Sequence, residues 1–140
     1  MNKKGTAALE AIIASGQVLL LLTVLASLLI IFWHNWQDNT QYSRQRQWAA
    51  MAFDYLDRDI GNAQRVVVSS NEINLHIQED RYNYRVSPEK SFYRNLGTAY
   101  YPLAMVDAVD WWWEGDLLWI EIIYPDESYR SCYYIPQEKR

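Results

Sequence analysis

The sequence contains a single cysteine, Cys132, among 140 residues. A chain with one thiol forms no internal disulfide, which excludes a small secreted scaffold held together by cystine bridges. Cys132 lies in an aromatic stretch, where a buried and unreactive thiol is the common arrangement. We therefore expect the hydrophobic core alone to hold the fold.

The sequence also lacks the short motifs of catalysis and cofactor binding. It has no glycine-rich phosphate loop, no His-Glu-x-x-His, no Cys-x-x-Cys and no Gly-x-Ser-x-Gly. The two histidines, His34 and His76, are far apart in sequence and are interpreted as solvated or hydrogen-bonded side chains. Asp54, Asp57 and Asp59 indicate a solvated acidic helix surface, because a calcium site needs a loop and more oxygen ligands. We predict no enzyme activity, no cofactor and no metal site.

Basic residues are too few and too scattered for a nucleic-acid surface. Thirteen Lys and Arg stand against 17 Asp and Glu, which gives a net charge of −4. Binding to phosphates requires a cluster of cations on one face. The basic pair Arg44 and Arg46 is interpreted as a solvated helix face. Direct nucleic-acid binding is not expected.

One long apolar run dominates the N-terminal third. From Ala11 to Trp33 no residue is charged, and most are Leu, Ile, Val or Ala. As a helix this run is about 35 Å long, enough to cross a bilayer core of about 30 Å. It is too long for a secretory signal, and no small-residue cleavage site follows it. Trp33 and Trp36 fall where interfacial aromatic residues are expected, while Lys3 and Lys4 favour a cytoplasmic N-terminus.

Glu10 lies at the edge of this run without a basic neighbour in sequence. A carboxylate in the first turns of a helix is favoured by the helix dipole and can stay hydrated at the headgroups. Alternatively, Glu10 is an intramembrane acid paired with a cation from another chain, because an ionised group in lipid needs a partner. The residues alone leave both interpretations open.

The first ten residues carry a further pattern: Met1-Asn2-Lys3-Lys4-Gly5-Thr6-Ala7-Ala8-Leu9-Glu10. It resembles the start of type IV pilins and pseudopilins. That family has a short basic leader ending in Gly, then an apolar stem with Glu at its fifth mature position. Gly5 matches the residue before the cut, and Glu10 is fifth if Thr6 becomes the new N-terminus. Thr6 and Ala8 stand where the family commonly has Phe and Leu.

The resemblance implies a processing and assembly pathway. A membrane prepilin peptidase would remove residues 1–5 between Gly5 and Thr6 and methylate the new amine of Thr6. Glu10 would then neutralise the N-terminal amine of a neighbouring subunit in a filament. Residues 6–36 would form the transmembrane and filament-core helix, and residues 37–140 an extracytoplasmic head.

The polar remainder predicts an α+β head. A helical period of apolar residues indicates a helix over about 42–64, either separate from the membrane helix or continuous with it; its members are Trp48, Met51, Ala52, Tyr55, Ile60 and Ala63. Period-two alternation over 73–77 and 82–86 then indicates a hairpin. Further strands are expected around 91–95, 106–112, 117–124 and 128–135. A long N-terminal helix packed on an antiparallel sheet of hairpins follows.

Two short segments of the head extend the resemblance. Asp59-Ile60-Gly61-Asn62-Ala63 at a helix end, then a hairpin, then Ser91-Phe92-Tyr93-Arg94-Asn95, is similar to minor pseudopilins of the PilW, GspJ and ComGF kinds. The short head favours the ComGF kind, which belongs to competence pseudopili for DNA uptake. The resemblance therefore implies a structural subunit whose partners are sibling major and minor pseudopilins, the prepilin peptidase and the membrane. Its place is the cell membrane, and the cell surface once assembled.

Trp111, Trp112 and Trp113 form the most unusual cluster in the head, with Trp119 nearby. In a strand, Trp111 and Trp113 share one face and Trp112 lies on the other, so at most part of the cluster is free for recognition. We name all three as a candidate partner interface, because Trp is enriched at protein interfaces. The alternative function is a single-pass membrane protein whose external domain binds a ligand, such as carbohydrate, through these aromatics.

We predict that Gly5 is required for leader removal. Gly5→Leu should leave the full-length chain in the membrane, because a bulky side chain obstructs a close-fitting peptidase cleft. Intact-mass measurement after co-expression with a prepilin peptidase checks this, with Gly16→Leu as a control glycine in the stem. A wild-type chain that keeps residues 1–5 under these conditions contradicts the predicted cleavage.

Overall fold

A computed structural model describes residues 3–140, with side-chain surroundings from Ala7 onward. The predicted leader at 1–5, its cleavage site at Gly5 and Thr6, and the predicted methylation of Thr6 lie outside the described side chains. The chain divides into two compact units, with the boundary between Tyr42 and Ser43. Each unit is described by itself.

The elements confirm the predicted α+β class, with one long helix followed by antiparallel strands. Helix α1 spans Lys3–Asn62, so the helix expected over 42–64 is the last part of a longer one. The strands are β1 Arg65–Val68, β2 Glu72–Ile77, β3 Asp80–Val86, β4 Ser91–Leu96, β5 Ala99–Met105, β6 Ala108–Glu114, β7 Leu117–Ile123 and β8 Ser128–Tyr134. A short 3-10 helix, Gln137–Lys139, follows β8.

In the first unit, α1 exposes its apolar side chains. It is the one described helix long and apolar enough to cross a membrane, and none of its most apolar stretch is buried. Its few hydroxyl groups donate to carbonyls of their own helix; Thr23 Oγ1 bonds Leu19 O at 2.8 Å and Ser27 Oγ bonds Thr23 O at 2.9 Å. A helix that satisfies its own polar groups is compatible with a hydrocarbon environment.

In the second unit, the last part of α1 packs on the sheets along a stripe of small and aliphatic residues. Ala49, Ala52 and Leu56 are at most 1% exposed, and Ile60 is buried beside them. These positions recur every three or four residues and therefore share one helix face. Met51 was expected on this face but is exposed, because it follows Ala49 by two residues and positions two apart do not share a helix face.

The strands form two sheets where one was expected. The large sheet has the order β1-β2-β3-β4-β5, and the small sheet has the order β6-β7-β8. All neighbouring strands are antiparallel. A single core is shared by α1 and both sheets. Its largest fully buried side chains are Tyr84, Phe92, Leu56, Ile73, Leu75, Leu118, Ile120, Ile122, Ile135 and Val66.

Strands β1 and β5 were not predicted. β1 has only four residues, and β5 contains Pro102 together with exposed Tyr100 and Tyr101. A proline is tolerated in a strand at a sheet edge or a bulge. Both conditions hold for β5, because it is the last strand of the large sheet and the pairing with β4 shifts between Phe92 and Tyr93.

β6 begins two residues later than the predicted start at 106. Val106 N donates instead to Lys90 O at 2.8 Å, so this residue belongs to the connection between the sheets. The β6–β7 ladder continues to the pair Glu114 and Leu117. Gly115 then adopts a left-handed φ of 59°, which glycine reaches without a steric penalty.

Cys132 is exposed, which corrects the expected buried thiol. Side chains alternate along β8, and Tyr133 takes the buried position of this pair. Cys132 therefore points to the outer face of the small sheet. Of the aromatic neighbours that suggested burial, Tyr133 lies in the core, while Tyr134 shares the exposed face with Cys132.

Candidate functional site

A buried ion pair joins the end of α1 to the centre of the large sheet. Arg94 on β4 donates from Nε to Asp59 Oδ2 at 2.6 Å and from Nη2 to Asp59 Oδ1 at 3.1 Å. Tyr84 on β3 donates its hydroxyl to the same Oδ2 at 2.6 Å. Tyr84 and Arg94 are direct cross-strand neighbours, so both donors reach one carboxylate. This two-point contact is the strongest geometry for an arginine–carboxylate pair.

The burial of Asp59 corrects the expected solvated acidic surface. Its side chain is 4% exposed and that of Arg94 is 11% exposed, whereas Asp54 and Asp57 are exposed as expected. Asp59 follows Leu56 by three residues and Ala52 by seven, which places it on the face that packs on the sheets. The helix therefore carries one carboxylate into the core.

The electrostatics of this cluster favour a charged Arg94 and a neutral Tyr84. Burial opposes ionisation of Arg94, but the hydrogen bonds and the charge of Asp59 raise its pKa above the ordinary value. Burial and the hydrogen bond to the Asp59 carboxylate raise the pKa of Tyr84. An ionised acid that accepts bonds from a cation and a hydroxyl is stable in a buried place.

Three tyrosine rings surround the guanidinium group of Arg94. Its central carbon lies 4.2 Å from the ring centroid of Tyr82, 5.6 Å from that of Tyr55 and 5.9 Å from that of Tyr101. Cation–π contacts stabilise a desolvated guanidinium. Both oxygens of Asp59 accept hydrogen bonds within the cluster. The carboxylate therefore bonds to the protein's own side chains. We interpret the cluster as a structural contact that positions the helix end.

The structure separates the three predicted tryptophans as strand alternation predicts. Trp111 and Trp113 pack against the core, while Trp112 is 37% exposed on the opposite face. Trp111 Nε1 donates to Ser69 O at 2.6 Å, which ties β6 to the turn after β1. The guanidinium carbon of Arg140 lies 4.3 Å from the Trp113 ring centroid. Only Trp112 thus presents its ring outward.

An outer aromatic face covers the solvent side of the small sheet. We define it by Trp112, Trp119, Leu117, Cys132 and Tyr134, which alternate with core residues along their strands. Trp112 lies opposite Trp119, and Trp119 opposite Cys132. The rings of Trp112 and Trp119 are stacked, with centroids 6.2 Å apart and planes 8° apart. Tyr134 is 68% exposed. This face is apolar, rigid and open.

One end of the same side of the sheet is acidic. Asp110 lies opposite Glu121, and Glu121 opposite Arg130. Arg130 Nε is 2.9 Å from Glu121 Oε1, and hydrogen bonds from Ser128 and Arg130 lower the pKa of Glu121. Across the described part of the chain, Asp110 has no cation within ion-pairing distance. Across the three strands, Asp110, Glu121 and Arg130 therefore place two acidic side chains beside one basic side chain.

Glu10 lies on an exposed turn of α1 in the first unit. From Ala7 onward no cation lies within ion-pairing distance of its carboxylate. The structure therefore leaves the two interpretations of Glu10 as they stood. Among the described residues there is also no group of three His, Cys, Asp or Glu that could hold a metal ion.

Comparison of the chain with protein-family models, with curated proteins and with solved structures gives no match. Sequence reasoning had singled out the segments around Asp59 and Arg94 by resemblance, but it did not predict their contact. A buried acid in phase with a helix's apolar stripe, followed by an arginine in a strand, is the signal that could have predicted this pair.

We predict that breaking the ion pair destabilises the second unit strongly. Arg94→Ala leaves a buried carboxylate without its cation and should lower the free energy of unfolding by about 3–5 kcal/mol. In the double variant Asp59→Ala/Arg94→Ala the effects should fall short of additivity by about 1 kcal/mol or more, since the two residues are in contact. Chemical denaturation of the full chain in detergent measures both.

Arg58→Ala is the matched control for this experiment. Arg58 Nε lies 3.5 Å from the same carboxylate, but its side chain is 56% exposed, so its loss should change stability by less than about 1 kcal/mol. Equal effects of Arg58→Ala and Arg94→Ala would contradict the assigned role of the buried pair.

Proposed function

We propose that this chain is a minor pilin-like subunit, a pseudopilin of the ComGF kind that assembles into a filament for DNA uptake. The observation that carries the proposal is the double use of α1. One helix, Lys3–Asn62, supplies an apolar stem in the first unit and the core-packing helix of the second. A subunit that is stored in the membrane and then packed by its stem into a filament needs this arrangement.

The exposed apolar surface of the stem supports this proposal. Leu20, Leu29 and Phe32 are each at least 68% exposed in the isolated chain. Each Å² of such surface costs about 25 cal/mol in water, so the stem requires lipid or other apolar helices around it. The proposed pathway supplies lipid before assembly and neighbouring stems afterwards. The N-terminus is then cytoplasmic and residues 37–140 lie outside the membrane.

In this proposal, the carboxylate of Glu10 makes a charged contact with a neighbouring subunit. A carboxylate within an apolar stem is costly unless a cation meets it. After cleavage at Gly5, the amine of Thr6 of a neighbouring subunit is the nearest cation of the proposed assembly. The pairing in trans explains why no partner for Glu10 is needed within its own helix.

We predict that Glu10→Gln impairs filament incorporation and leaves leader cleavage intact. The amide keeps the size of the side chain but removes the charge that pairs with the amine. Co-purification or cross-linking with sibling pseudopilins should drop about tenfold, which corresponds to about 1.4 kcal/mol. Asp38→Asn, which neutralises an acid beyond the apolar run, is the control and should assemble as the wild type does. Unchanged incorporation of Glu10→Gln would assign Glu10 to an ordinary helix-end role.

The head contributes contact with sibling subunits in this proposal. The exposed side chains of the outer aromatic face supply a rigid apolar surface, and Trp and Tyr often dominate the energy of protein interfaces. Trp112 is the member of the predicted tryptophan cluster that can make such contacts. Trp111 and Trp113 support it from the core side of the same strand.

We predict opposite outcomes for Trp112→Ala and Trp113→Ala. Trp112→Ala removes an exposed ring and should weaken sibling binding while it lowers stability by about 1 kcal/mol, the value of its stacking on Trp119. Trp113→Ala removes a core-packed ring and should lower stability by about 2 kcal/mol or more. Co-purification with sibling subunits and melting temperature of the full chain in detergent separate the two effects.

A glycan panel tests the alternative function on the same variants. If oligosaccharides raise the melting temperature of the wild type and not of Trp112→Ala, while sibling subunits have no effect, the aromatic face serves ligand binding. If sibling subunits alone raise the melting temperature, the pseudopilin proposal stands.

A further inference from the structure

Three of the four sheet edges in the second unit are protected against further strand pairing. β1 is four residues long and has the 3-10 helix beside it. β5 contains Pro102, which has no amide hydrogen to donate. β8 has the end of α1 beside it, and the two elements line a common groove. Proteins commonly block free edges in these ways to prevent unwanted pairing.

The edge of β6 has none of these protections. It runs for seven residues, Ala108–Glu114, without proline, lysine or a bulge in its ladder. Its only strand partner is β7, and within the described chain its backbone forms no further bonds to loops or side chains. Alternate N–H and C=O groups of an edge strand point away from the sheet, so β6 presents a row of open donors and acceptors.

A groove runs along this open edge. Val109, Trp111 and Trp113 line it on the β6 side, and Val68, Ser69 and Ser70 line it on the side of the large sheet; its volume is about 480 Å³. The bond from Trp111 Nε1 to Ser69 O, at 2.6 Å, holds the two walls together. The groove therefore combines a largely apolar wall on β6, a mixed wall of Val68, Ser69 and Ser70, and a strand edge. Strand addition uses such an edge for backbone hydrogen bonds and adjacent pockets for alternate side chains.

The charges beside the groove select the partner. Asp110 and Glu114 project outward from β6 on either side of Trp112, and neither has a cation within ion-pairing distance in the described chain. Asp110 already faces a second acid, Glu121, on its β7 side. A cationic side chain on an added strand would relieve this repulsion, because directly opposite residues of unlike charge stabilise a sheet.

We propose that β6 is a strand-addition site for an extended segment of a sibling subunit. That segment carries basic residues four positions apart, opposite Asp110 and Glu114. A residue suited to contact Trp112 lies between them, and the alternate positions are apolar and face the groove. That the segment comes from a sibling subunit rests on the proposed function. The spacing of its basic and apolar residues rests on the side chains of β6.

A synthetic peptide tests the site directly on the purified full chain in detergent. The probe is a capped peptide with the core Arg-Val-Thr-Val-Arg, which fits β6 in either direction. It should bind the chain and slow hydrogen exchange at alternate amides of Ala108–Glu114, because those amides gain backbone acceptors. A peptide of the same sequence with N-methylated alternate amides should not bind. Equal binding of the methylated peptide, or no change in exchange along β6, would overturn strand addition.

Charge reversal tests the selectivity. Asp110→Lys/Glu114→Lys should lower affinity for the basic peptide by about tenfold or more and favour the matching Glu-Val-Thr-Val-Glu peptide, since two attractive cross-strand pairs become repulsive. Glu89→Lys/Asp126→Lys makes the same change of net charge at exposed positions outside β6 and should bind as the wild type does. An equal loss in both double variants would show a general charge effect and contradict the site.

The two proposals fail separately. If the peptide does not bind but Glu10→Gln still reduces filament incorporation, strand addition is wrong and the filament subunit stands. If the peptide binds and protects β6 but the chain never joins sibling subunits, the strand-addition site stands and the filament function is wrong.

Discussion

The head depends most on the buried contact between Asp59 and Arg94. The face of α1 that packs on the sheets is made of small and aliphatic side chains, including Ala49 and Ala52. Such a face allows close approach but specifies position along the helix only weakly. A buried carboxylate is satisfied at one place on the large sheet, where Arg94 and Tyr84 both reach it. Because β1 begins three residues after α1 ends, fixing the helix end also fixes where the sheet begins.

A second constraint comes from the stem. Its exposed apolar side chains require a surrounding of lipid or helices, and the same helix provides the packing face of the head. This shared helix connects the fold with the proposed function. The apolar surface of the stem would contact lipid before assembly and neighbouring stems in the filament. In the proposed function, the outer aromatic face and the open edge of β6 are the surfaces that contact sibling subunits.

The sequence predicted the fold where local patterns are strong. The uncharged run from Ala11 to Trp33 and the alternation over 73–77 and 82–86 each correspond to an observed element. The sequence did not predict strands whose pattern is short or interrupted. β1 has only four residues, and Pro102 interrupts the strand pattern of β5. The division into two sheets was also missed, because strand pairing between distant segments leaves no local periodicity.

The candidate site was predictable only in part, for a related reason. Strand alternation was enough to separate Trp112 from its two neighbours. Asp59 was assigned to solvent together with Asp54 and Asp57, because acidic residues on a helix are mostly exposed. Its partner lies 35 residues later in the chain, and only the assembled sheet brings the two together. Cys132 was wrongly expected to be buried, because strand alternation buries Tyr133 and leaves Cys132 on the exposed face of β8.

In the proposed function, the head, residues 37–140, lies outside the membrane and joins a surface filament. Cys132, the chain's single cysteine, is exposed on the outer face of the small sheet and serves as a native reporter. The direct measurement treats intact cells with a membrane-impermeant maleimide, shears off surface filaments and analyses them by mass spectrometry. The proposed function predicts sheared filaments that contain the chain without residues 1–5 and, in the unassembled chain that stays in the membrane of the same intact cells, a label at Cys132. Labelling that requires cell lysis, together with sheared filaments that contain no form of the chain, would contradict it.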